Sequence, residues 1–77
     1  MSGRILIIDN DRSFVKGLRY SLEQDDYRID ILSEGKDTLD HITRKEYNMV
    51  LIETELPDIN GLTLCQDIRN ISLRRNP

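Results

Sequence analysis

A chain of 77 residues, with 11 Lys and Arg against 14 Asp and Glu for a net charge of -3, is at most one small domain. A chain of this size buries about 60% of the surface that its unfolded form exposes. The mild acidity gives no reason to expect direct contact with nucleic acid or an anionic membrane, and no apolar run approaches the ~20 residues that span a bilayer. One cysteine, Cys65, excludes an internal disulfide and a cysteine-based zinc site, and it fits a reducing, cytoplasmic setting. Only four apolar residues lie between Arg4 and Asp9, too few for a signal peptide. The sequon Asn70-Ile71-Ser72 is therefore read as accidental.

Arg4 to Ile8 predicts a first strand: Ile5 to Ile8 are uninterrupted apolar residues, as in a strand buried on both faces. It stops at Asp9-Asn10-Asp11, where Asp11 or Ser13 caps a helix whose stripe, Phe14, Val15, Leu18 and Leu22, faces the sheet. Gly17 weakens that helix by about 1 kcal/mol relative to alanine, and Gln24-Asp25-Asp26 closes it. Tyr27 to Leu32 alternates, with Ile29 and Ile31 on one face and Arg28 and Asp30 on the other, as a strand near a sheet edge does. Ser33-Glu34-Gly35 is a turn. Lys36 to Lys45 predicts a one-faced helix carrying Leu39 and Ile42, with Asp37 as its cap. Met49 to Ile52 is a third apolar strand that delivers Glu53 to its C-terminal end. Pro57 and the turn Asp58-Ile59-Asn60-Gly61 lead into a third helix, with Leu62, Cys65 and Ile68 as its buried face and Arg69 in its last turn. The tail from Ser72 to Pro77 reads as polar. The order βαβαβα with short connections implies a parallel sheet with right-handed crossovers.

If the first and third strands are adjacent, Asp9, Asn10 and Glu53 project into one crevice at the carboxyl ends of the strands, where open α/β sheets bind ligands. Carboxylates gathered there repel one another, so such a cluster holds a cation such as Mg²⁺ or has raised pKa values. The alternative is that Asp9 and Asp11 only cap the first helix.

At these residues the chain resembles the receiver domain of bacterial two-component response regulators. Arg4 to Asp11 is similar to that family's opening strand and acidic pair. Asn48 to Gly61 is similar to its third strand, phosphoacceptor position and Leu-Pro-x-x-x-Gly turn, and Gly61 to Arg69 resembles its third helix. The resemblance implies a flavodoxin-like (CheY-like) fold with strand order 2-1-3-4-5, here a parallel three-stranded half-sheet lacking the fourth and fifth strands. Residues 1–77 are thus expected to be the N-terminal part of a receiver domain, either truncated or a piece of something longer, with no second domain.

The resemblance also implies which positions matter. Asp9 matches the first acidic position, but Asn10 stands where the family usually has a carboxylate that binds Mg²⁺, which removes one charge from a hard-cation site. The backbone carbonyl of Glu55 matches the remaining protein ligand. The metal site is therefore expected to be weak or lost, with no cofactor required. Glu53 stands where the phosphorylated aspartate belongs, with its oxygens about one bond further out. Phosphoryl transfer depends on in-line positioning, and a ~1 Å misplacement can cost ~100-fold in rate. Ordinary aspartyl phosphorylation is not expected.

The implied function is an atypical receiver module, not an enzyme. It would act through Glu53, Thr54 and Pro57 on protein partners: an output domain, a sensor kinase or another regulator. The output most common in the family is transcriptional. Because the third strand has no successor to pair with, its exposed edge predicts a homo-oligomer. A second reading is a phosphatase fragment. The strand followed by Asp9-Asn10-Asp11 resembles the opening of haloacid-dehalogenase-like enzymes, with Asp9 as nucleophile and Asp11 as general acid/base, though that family needs a much longer chain. Other residues carry blander readings: His41 on a solvated helix face, Cys65 in the core, and Arg69, Arg74 and Arg75 meeting the helix dipole and solvent.

Overall fold

The computed structural model describes residues 3–75, with side chains through residue 70. Its elements run β1 (Arg4–Ile8), α1 (Arg12–Gln24), β2 (Arg28–Leu32), α2 (Thr38–Arg44), β3 (Met49–Ile52) and α3 (Gly61–Arg75). The strands form one parallel sheet in the order β2-β1-β3, with Ile7 level with both Ile31 and Leu51. Placing β1 in the centre explains its composition. Ile5, Leu6, Ile7 and Ile8 are all essentially inaccessible to solvent, so neither face tolerates a polar residue.

The pleat sends these residues alternately to two cores. Ile5 and Ile7 join Ile29 and Val15 under α1, with Leu18, Leu22 and Leu51 packed around them. Leu6 and Ile8 join Leu64 on the other side, beneath α2 and α3, with Ile42, Val50 and Ile68 alongside. Burying each such side chain contributes about 1.5–3 kcal/mol, and β1 is the strand that is fully buried on both faces.

Two predicted helix faces and one helix position are corrected. On α1 the buried stripe is Val15, Leu18 and Leu22, whereas Phe14 is 57% exposed. One residue corresponds to 100° of helix rotation, and α1 packs over β2 rather than over β3. On α3 the sheet-facing residues are Gly61, Leu64 and Ile68; Leu62 is 64% exposed and Cys65 only half-buried. Arg69 lies in the middle of α3, not in its last turn, because the helix runs on through the predicted polar tail to Arg75. The side chains of Arg74 and Arg75, and Pro77 with them, lie outside the described residues.

Smaller adjustments concern ends and caps. β2 starts one residue after the predicted Tyr27, because Tyr27 gives its N–H to the Leu22 carbonyl. Asp26 takes a left-handed conformation, φ 66°, that turns the chain out of α1. Gly17 sits within a continuous helix. Asp37 occupies the N-cap position of α2, but its side chain makes no capping bond.

Candidate functional site

β1 and β3 end side by side, and their exits carry the predicted acidic residues. The Glu53 N–H donates to the Ile8 carbonyl at 2.9 Å, which extends the ladder one residue past β3 and sets Glu53 beside the start of the β1–α1 loop. Asp9 in turn donates its N–H to Leu32 on the opposite strand at 3.0 Å. Asp9, Glu53 and Thr54 line the polar end of an open trough of about 340 Å³, with Ile7 and Leu51 at its floor and Phe14 and Leu18 on its α1 side. Asn10 and Pro57 are exposed and do not line it.

The first loop satisfies itself locally. Asp9 is 91% buried, and its Oδ1 accepts from the Asp11 N–H at 2.9 Å. Asp11 Oδ1 then accepts from the Phe14 N–H at 3.0 Å, so Asp11, not Ser13, caps α1.

The second loop is built by tertiary contact. Glu53 turns its carboxylate back onto its own loop, where Oε1 accepts from the Thr54 hydroxyl and from the Glu55 N–H, both at 3.2 Å. Gly61 closes the loop, donating to the Thr54 carbonyl at 2.9 Å. A Cβ at Gly61 would collide with the Glu53 carbonyl oxygen and lie 2.8 Å from Thr54 Cα, so only glycine lets α3 begin against the end of β3. That close approach also sets the rotation that turns Leu64 and Ile68 inward. Asn60 caps the helix, its Oδ1 accepting from Leu62 at 2.8 Å and from Thr63 at 3.3 Å. Asp58 Oδ1 reaches across to accept from the Gly35 N–H at 2.8 Å, tying the turn before α2 to this loop.

Asn60 and Asp58 were missed as positioning residues. An asparagine directly before a helix is a cap signal that the sequence does carry, whereas the Asp58 contact spans 23 positions and has no local signature. His41 lies on α2, with its Nδ1 3.0 Å from the Asp37 carbonyl oxygen.

Mg²⁺, which the resemblance implies, would draw on Asp9, Asn10 and the Glu55 carbonyl. Asp9 is the one carboxylate in that set and already accepts from Asp11. Among the described residues no group of three or more His, Cys, Asp or Glu side chains converges as metal ligands do. One carboxylate with neutral oxygens fits a hard cation poorly.

A parallel βαβαβα sheet in the order 2-1-3, with acidic residues at the adjacent exits of the first and third strands, defines a flavodoxin-like domain of CheY type. A model of the response regulator receiver domain matches residues 5–76, and the chain belongs to that family. Response regulator ArlR of Staphylococcus saprophyticus is 33% identical over 66 residues, which cover 86% of this chain and 30% of that protein. ArlR of Staphylococcus epidermidis is 34% identical over 65 residues, covering 84% and 30%. The chain therefore spans about 30% of the length of these curated relatives.

Among solved structures, the non-phosphorylated HemR receiver domain of Leptospira biflexa superposes with a TM-score of 0.82 at 28% identity, over 90% of this chain and 56% of that one. The response regulator TrrA of Thermotoga maritima, in complex with Mg²⁺ and BeF, gives 0.83 at 28% identity, over 91% and 61%. A CheY-like receiver domain from Methanospirillum hungatei gives 0.85 at 27%, over 92% and 57%. Receiver domains are signalling modules of two-component systems that work with kinases and output domains. No helix among the described residues is long and apolar enough to cross a membrane.

Proposed function

We propose that this chain is an atypical receiver module that works through protein contacts, without ordinary aspartyl phosphorylation and without requiring a cation. The observation that carries this reading is the placement of Glu53. It follows β3 where the ladder hands over to the loop, beside Asp9, and its carboxylate is held by Thr54 and the Glu55 N–H. A fixed negative charge there acts on the Thr54-to-Pro57 surface at all times. The partners are a sensor kinase, another regulator or an output domain in the cytoplasm, and the output is transcriptional. The module also self-associates through the open edge of β3.

The test is incubation with a small-molecule phosphodonor and Mg²⁺ followed by intact mass. No stable adduct is expected, and Glu53→Asp is expected to raise phosphoryl uptake. A stable, Mg²⁺-dependent gain of one phosphoryl group on the unaltered chain overturns the reading.

A further inference from the structure

Of the five asparagines in the chain, Asn60 alone precedes a glycine; the others precede Asp11, Met49, Ile71 and Pro77. That neighbour matters chemically. A main-chain nitrogen can attack the side-chain amide of the asparagine before it, and a side chain on the following residue hinders the approach. Glycine has none and lets the backbone turn freely.

The fold holds the peptide group between Asn60 and Gly61 at both ends. Its N–H, from Gly61, donates to the Thr54 carbonyl at 2.9 Å, and its C=O, from Asn60, accepts from the Leu64 N–H at 3.1 Å. The side-chain amide is held as well, since Asn60 Oδ1 accepts from the N–H groups of Leu62 and Thr63. Attack needs the peptide plane to rotate until the Gly61 nitrogen faces Asn60 Cγ, and that rotation breaks both main-chain bonds. Gly61 is buried, with the backbone of Glu53 and Thr54 against it, so a base from solvent does not reach its N–H while α3 stays docked. Asn60 itself is exposed to water.

We propose that Asn60 is a masked deamidation site, closed while the start of α3 is docked on the exit of β3 and reactive when it detaches. In the open form a base takes the Gly61 N–H proton and the nitrogen bonds to Asn60 Cγ. The bond from Cγ to Nδ2 then breaks, releasing ammonia and leaving a succinimide. Water opens that ring. Addition at Cγ leaves an ordinary aspartate at position 60, and addition at the main-chain carbonyl leaves an isoaspartate. By either route one water is consumed and one ammonia released.

The two products act differently on the fold. Aspartate keeps the cap and sets a negative charge at the N-terminus of α3, where the helix dipole favours it. Isoaspartate puts an extra methylene into the main chain before the Gly61 nitrogen and shortens the capping side chain. Gly61 then loses its register on the Thr54 carbonyl, the contact that ties α3 to the loop of Glu53. A passing detachment of α3 thereby becomes a lasting one.

The test is timed incubation of the whole chain at mildly alkaline pH, folded and in guanidinium chloride, with peptide mass mapping and enzymatic methylation of isoaspartate. Asn60 is expected to be the first asparagine modified. In the folded chain it should react roughly tenfold or more slowly than in denaturant, because the reaction follows the open fraction that the cap and the Thr54 bond keep small. Asp58→Ala frees the Gly35 N–H from this loop, and should speed the folded reaction while leaving the denatured one unchanged. Asn60→Ser keeps a capping oxygen and should abolish the reaction in that peptide. The purified isoaspartyl form should unfold at lower denaturant than the unmodified chain.

Equal rates in the folded and denatured chain overturn the proposal, as does earlier modification of another asparagine. So does an isoaspartyl form as stable as its parent, or a folded Asp58→Ala chain that reacts no faster. Should Asp58→Ala fail to fold, the unaltered chain in the two conditions decides the matter alone.

Discussion

On β2, an outer strand of the sheet, three side chains from two other segments converge on one carboxylate. Asp30 Oδ2 accepts from the Tyr47 hydroxyl at 2.6 Å, from Arg4 at 3.2 Å and from Lys45 at 3.3 Å, joining β2 to β1 and to the loop before β3. At the β3 edge the described residues show nothing comparable: its four residues are apolar, and among the described strands β1 alone pairs with them. Both outer strands pair on one side only, but charge on an edge blunts pairing with further strands, while an apolar edge with outward amides invites it. The same sheet thus has one closed side and one open side.

The largest expected effect lies on the open side, where β3 meets α3. Gly61→Ala drives a Cβ into the Glu53 carbonyl, which is rigid backbone, and should cost about 3 kcal/mol in urea denaturation. A loss below about 1 kcal/mol would show that α3 slides freely and does not anchor the exit of β3.

On the closed side, Asp30→Ala leaves the Tyr47 hydroxyl and Arg4 without their acceptor and should cost about 2 kcal/mol. The same network predicts how stability follows pH. Burial pushes the Asp30 pKa up, but hydrogen bonds from Tyr47, Arg4 and Lys45, with the Lys45 charge, outweigh it and hold the carboxyl below its usual range. A depressed pKa contributes stability above the unfolded value, and that stability is lost as pH falls through the folded one. The acid limb should therefore open below about pH 4 and flatten in Asp30→Ala. Tyr47 is shifted the other way, upward, by its burial and by the hydrogen bond and charge of Asp30. Its contribution holds below the unfolded value of about 10 and fades as pH rises above it. Tyr47→Phe should flatten that alkaline limb, as read by circular dichroism across pH.

Two smaller effects sharpen the contrast. Thr38 is wholly buried at the start of α2, and its hydroxyl has no hydrogen-bond partner among the described residues. Thr38→Val keeps the shape, removes the orphan group and should gain up to about 1 kcal/mol. Met49→Thr on the open edge should leave the unfolding free energy of the monomer within about 0.5 kcal/mol, measured at dilutions where no dimer forms.

The strands were legible because unbroken apolar runs mark strands: β1 and β3 coincide with the predicted Arg4 to Ile8 and Met49 to Ile52, although burial on both faces holds for β1 and not for β3, where Met49 is 52% exposed. The alternation of β2 also placed Ile29 and Ile31 in the core and Asp30 on the opposite face. Helix faces were harder to read. Phe14 next to Val15, and Leu62 two before Leu64, each offer a second apolar stripe at helical spacing, and only the position of the sheet chooses between them. In the site, the pairing of Asp9 with Glu53 followed from strand adjacency, whereas the inward turn of the Glu53 carboxylate did not.

The sequence alone determined which segments are strands and helices, their parallel direction and the identity of the residues at the strand exits, because these follow from local periodicity and the handedness of βαβ connections. Tertiary structure decided what depends on distance through space. The backbone contact at Gly61 set the rotation of α3, Asp30 gathered partners from two other segments, and β3 was left paired with β1 alone among the described residues. Local pattern carries none of these, because each depends on groups far apart in the chain.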